Sequence, residues 1–166
     1  MTQAKLNVMI CASQKNHRHF IKCVQKICKE KKYSIIYAPY KPQGRLLKKF
    51  IDSLPDANII LMDVTPEELK DSKGKSYYLT NQGVLIEFGH IIALEEYYKL
   101  LYIFCENDKK GKTHPYVREE TITDYSKSNL RGKILGKISD RIEKMPAEQI
   151  ESRKIIKSFK EKVLRI

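Results

Sequence analysis

Four short apolar runs, each closed by a polar turn and separated by stretches with helical spacing, leave this chain few ways to fold. Lys5 to Ala12, Tyr33 to Ala38, Asn58 to Asp63 and Leu100 to Cys105 are rich in β-branched and other apolar residues and too short for helices. Between the first two, Phe20, Val24, Ile27 and Cys28 recur at i, i+4, i+7 and i+8, with Lys22, Gln25, Lys26 and Lys29 outside that stripe. Leu46, Leu47, Phe50, Ile51 and Leu54 form the next stripe, after Pro39, Pro42 and Gly44 and before Pro55. Val84, Phe88, Ile91 and Ile92 form a third, with Thr80 or Asn81 placed to cap it.

Strands that alternate with helices pair in parallel through right-handed crossovers. The expectation is therefore one α/β domain over residues 1–166, a three-layer flavodoxin- or Rossmann-like fold with strand order 2-1-3-4. A fifth, edge strand falls at Thr121 to Tyr125, so residues 1–126 supply the sheet and 127–166 a C-terminal helical extension. Ile155, Ile156, Phe159 and Val163 share one side of the last helix and are a candidate homodimer seam. Pro66 to Tyr78, charged and with little to bury, reads as a mobile excursion that could act as a lid.

Composition narrows the partners. With 42% hydrophobic residues, ten Tyr and five Phe, the chain can build a core and is not disordered. Its apolar runs fall far short of the roughly 20 residues of a membrane span, and the N-terminus reads as a first strand and not a signal peptide, so a cytoplasmic location is expected. Cys11, Cys23, Cys28 and Cys105 form no C-x-x-C pair and read as small reduced hydrophobes. His17 and His19 point to different sides of a helix and read as surface residues, so neither a metal nor a resident cofactor is expected. The net charge of +12 attracts anions, but Lys is spread along the whole chain, which argues for phosphate-bearing small molecules over nucleic acid.

In doubly wound sheets ligands bind beyond the carboxyl ends of the strands, where strand order reverses. Ala12, Ser13 and Gln14, then Asp63 and Thr65, then the helix carrying Glu87 fall there. Glu87 is unusual: it shares a helix face with Gly83, His90 and Leu94 in an otherwise apolar segment, and a buried carboxylate is costly unless it is paired or used. Gly83 and Gly89 remove side chains beside it. The glycine loops of dinucleotide and P-loop folds and the G-x-S-x-G nucleophile turn do not occur.

The stretches ANIILMDVT and NQGVLIEFGHIIA, preceded by VMICAS, resemble the nucleoside 2-deoxyribosyltransferase superfamily, including the deoxynucleoside-monophosphate N-glycosidases and TIR-like nucleotide-binding proteins. Asp63 and Thr65 match the first half of the family pattern; Asn81, Val84, Glu87, Gly89 and Ala93 match the second. The resemblance implies an N-glycosidase in which Glu87 attacks the anomeric carbon of a nucleotide, nucleoside or NAD-like substrate, with Asp63 or His90 assisting. It further implies that Ala12, Ser13, Gln14, Thr65, Asn81, Gly83 and His90 line the substrate site. The chain departs from the family by having Asn81 where transferases carry an Asp, and no Tyr between Leu6 and Ser13. The alternative is a non-catalytic nucleotide-sensing module built on the same pocket.

Overall fold

The computed structural model describes residues 5–39 and 46–145. Pro42, Gly44, Pro146 and the stripe Ile155, Ile156, Phe159 and Val163 lie outside the described residues.

Strands β1 (Asn7–Cys11), β2 (Ser34–Tyr37) and β3 (Ile59–Asp63) alternate with helices α1 (Arg18–Lys31) and α2 (Leu46–Ser53). A hairpin of β4 (Glu67–Lys70) and β5 (Ser76–Leu79) precedes α3 (Gln82–Ile92) and the short α4 (Glu95–Tyr98). Then come β6 (Leu101–Glu106), α5 (Pro115–Arg118), β7 (Ile122–Tyr125) and a helix, α6, over residues 130–145. The main sheet runs β2-β1-β3-β6-β7, and every pairing in it is parallel. This is the expected Rossmann-like three-layer order, with the edge strand added beside the fourth.

Alternation along the strands divides the core into two halves. Val8, Ile10, Ile59, Leu61 and Phe104 meet α1 and α6 on one face. Met9, Cys11, Ile60, Met62 and Val64 meet Phe50 of α2 and Val84, Phe88 and Ile91 of α3 on the other. Nearly continuous apolar strands are what burial on both faces demands. The helical stripe of α1 is buried as its spacing predicts, with Ile21 added. That of α2 is only half used: Phe50 and Leu54 are buried, whereas Leu46, Leu47 and Ile51 stay exposed. Ile92, expected on the buried face of α3, is exposed as well. All four cysteines are free thiols.

The Pro66 to Tyr78 segment is not an unstructured excursion. Glu67 to Lys70 pairs antiparallel with Ser76 to Leu79. Asp71 shapes the turn, its Oδ1 accepting from the N–H groups of Lys73 and Lys75, and Gly74 takes a left-handed φ of +78°. Backbone pairing gives order here without burial, which is why a hydrophobicity reading missed it. The hairpin stands at the carboxyl end of the sheet, where Asn16 donates to Glu67 at 2.9 Å and Lys112 lies over the Tyr78 ring. Among the described residues no helix is long and apolar enough to cross a membrane.

Candidate functional site

Glu87 is carried by the second turn of α3, whose N-terminus Asn81 caps by accepting the Val84 N–H at 3.1 Å. The helix lies over the ends of β1 and β2, so the carboxyl group arrives beside their last residues, Cys11 and Tyr37. It is 7% exposed. The Tyr37 phenol donates to Glu87 Oε1, while Oε2 has no hydrogen-bond partner.

Tyr37 reaches this position because of an irregularity in β2. Val8 is level with Ile35 but Met9 is level with Tyr37, so Ile36 is an extra residue in the ladder. Simple alternation would send Tyr37 to the same face as Ile35. The bulge instead turns it to the face of Met9 and Cys11, where Phe50 packs edge-on against its ring at 5.4 Å. Tyr37 thereby meets Glu87 from the second strand. Sequence spacing held no signal for it.

Burial pushes the Glu87 carboxyl up from 4.5 to about 7, against the lowering effect of the Tyr37 hydrogen bond and of the Cys11 thiol beside it. The same closeness acts on its neighbours: burial first, then the Glu87 charge, raises both the Cys11 thiol and the Tyr37 phenol. Near neutral pH the carboxyl can therefore hold or release a proton, and its second oxygen is buried without a hydrogen-bond partner.

Asp63 is not part of this cluster. It is fully buried, and its side chain points to the opposite face of β3, toward Tyr125. Oδ1 accepts from the Thr65 N–H (3.0 Å) and hydroxyl (2.6 Å), and Oδ2 accepts from the Tyr125 phenol (2.7 Å). Thr65 Oγ1 accepts in turn from the Glu106 N–H at 3.0 Å. The D-x-T spacing lets an aspartate bond the chain two residues on, and here it fastens the ends of β3, β6 and β7 together. The period of two along β3 thus turns the Asp63 side chain away from the face on which Glu87 meets Tyr37.

The strand-order reversal lies between β1 and β3, and a histidine closes it. His17, expected at the surface, is buried. Its Nδ1 accepts the Ser13 N–H at 2.9 Å, which leaves Nε2 to carry the proton donated to the Thr65 carbonyl at 2.7 Å. Ser13 Oγ accepts from Asn16 N–H at 3.3 Å, so the polar groups of this turn are largely spent internally. Ala12 is buried, and Gln14 is exposed in a groove along α1.

His90 is exposed, its ring 6.3 Å from that of Phe50. A side chain on Gly83 would meet the Asn81 cap at 3.1 Å, and one on Gly89 would meet nothing within 4 Å. Among the described residues no group of three or more His, Cys, Asp or Glu could hold a metal ion. The chain matches no protein-family model and no curated protein.

Proposed function

We propose that this protein cleaves the N-glycosidic bond of a nucleotide, nucleoside or NAD-like substrate at Glu87. The observation that carries the reading is the pairing of Tyr37 with one oxygen of a buried carboxyl whose other oxygen has no partner, at the carboxyl ends of two parallel strands. In this reading the ionised Oε2 attacks the anomeric carbon and the C–N bond breaks with its electron pair leaving on the base. Water then attacks the glycosyl carbon and gives up a proton that ends on the released base, the ester bond to Glu87 breaks, and the carboxylate is regenerated. Tyr37 holds Oε1 throughout, which fixes the orientation of the attacking oxygen and spreads its charge.

Asp63, held by Thr65 and Tyr125, supports the fold of the strand ends and takes no proton in the reaction. The partners of this reading are a small-molecule nucleotide or nucleoside and a second copy of the chain.

Incubation with a panel of nucleosides, nucleoside monophosphates and NAD, followed by chromatography of free bases, tests the proposal. Release from at least one substrate supports it. Binding without release transfers the site to the nucleotide-sensing alternative, and neither binding nor release rejects both.

A further inference from the structure

One stretch of the chain concentrates positive charge that was expected to be spread along its whole length. Residues 14–32 hold seven Lys and Arg against the single Glu30, half of the net +12 of the chain, and Glu30 is already bonded to Arg131 of α6 at 2.5 Å. Helices α3 and α4, on the other side of the sheet, contain Glu87, Glu95 and Glu96 and no Lys or Arg.

Along α1 the cations are ordered. Arg18, Lys22 and Lys29 fall within a narrow arc at i, i+4 and i+11, a stripe about 16 Å long. Among the described residues none of the three has a carboxylate partner, in contrast to Lys48 with Asp52 on α2. The first turn of α1 has no acid, so Arg18 and the preceding Lys15 sit where the helix dipole is already positive. That placement opposes stability, and an anion would relieve it. A groove of about 430 Å³ runs beside the stripe, lined by Gln14, Lys15, Arg18, Ile21, Lys22 and Gln25.

We propose that this flank of α1 is a binding track for a nucleic-acid backbone, with phosphates seated along Arg18, Lys22 and Lys29 and the groove amides of Gln14 and Gln25 beside them. The stripe is longer than the phosphates of one nucleotide span, and it has no exposed aromatic ring for bases to stack on. Recognition is therefore of repeated phosphates, independent of sequence and steeply dependent on salt.

Fluorescence anisotropy with a labelled 20-base-pair duplex tests this in three variants of the full chain. Joint Arg18→Gln, Lys22→Gln and Lys29→Gln substitution should weaken binding at least tenfold at 100 mM salt and flatten the slope of log affinity against log salt by about 2 to 3, from roughly 0.9 per phosphate contact. Charge-keeping Arg18→Lys, Lys22→Arg and Lys29→Arg should stay within about threefold of the parent, as backbone attraction needs charge more than shape. Joint Lys70→Gln, Lys73→Gln and Lys75→Gln in the hairpin, removing equal charge elsewhere, should also stay within about threefold. Circular dichroism checks that each variant is folded. Equal losses from the α1 and hairpin triples, no binding at 50 mM salt, or tighter binding to phosphatidylserine vesicles than to the duplex would each overturn the proposal.

Discussion

Glu87 is an apolar helix's single acid, and its consequences can be followed atom by atom. Because burial raises its carboxyl from 4.5 to about 7, the folded state holds this proton more tightly than the unfolded chain does. The sign follows: below pH 4.5 the group is neutral in both states, and between 4.5 and about 7 the fold is progressively penalised as pH rises. Glu87→Gln removes that penalty, so the variant should melt above the parent at pH 8, by on the order of 2 to 3 kcal/mol, and approach it at pH 4. Calorimetry at the two pH values checks this, and a variant less stable at pH 8 would contradict it. Tyr37→Phe removes the phenol that favours the ionised form, so the Glu87 carboxyl should titrate above about 7 and the acid limb of any base-release profile should move alkaline. An unmoved limb would separate Tyr37 from the chemistry. For Asp63→Asn the expectation is opposite in kind: a loss of about 1 to 3 kcal/mol from a broken buried network, with base release per folded molecule nearly unchanged. A hundredfold loss of turnover without loss of stability would restore Asp63 to the reaction.

Elements explain why these residues were only partly legible. The position of Glu87 in an otherwise apolar helix could be read from spacing, because both its oddness and its face are local properties of α3. Tyr37 could not, because a bulge of one residue at Ile36 reverses its face without any mark in the composition of β2. His17 was misread for a related reason. Its partners are a backbone N–H four residues away and a carbonyl 48 residues away, neither of which is a residue-type signal. His17→Ala leaves both groups buried without partners, and the melting temperature should fall by roughly 3 to 10 °C; a shift under about 1 °C would mean that the clamp contributes nothing. The β4–β5 hairpin was missed because its turn chemistry, and not burial, makes it. Gly74→Ala should strain the turn at φ +78° by about 1 kcal/mol. Since the hairpin is largely exposed, limited proteolysis at Asp71 to Lys75 should quicken while the global melting temperature holds. A large global fall would show the hairpin to be coupled to the core.

At the scale of the whole molecule, the strand order followed from the alternation of apolar runs with helical stripes, since parallel pairing and crossover handedness leave few arrangements. The same alternation, applied to single residues, separates Asp63 from Glu87 across the sheet and places the basic α1 opposite the acidic α3 and α4. One layer thus carries the buried carboxyl and the other the cationic stripe. The central claim concerns the first of these layers. Its most direct measurement is base release by the parent chain and by Glu87→Gln, followed from pH 5 to 9 on the best substrate of the panel. The account predicts a rate that rises with a midpoint near the Glu87 value of about 7 in the parent and falls at least 100-fold in the variant. A variant that retains turnover within about tenfold of the parent, with the same pH profile, would place the chemistry at another residue.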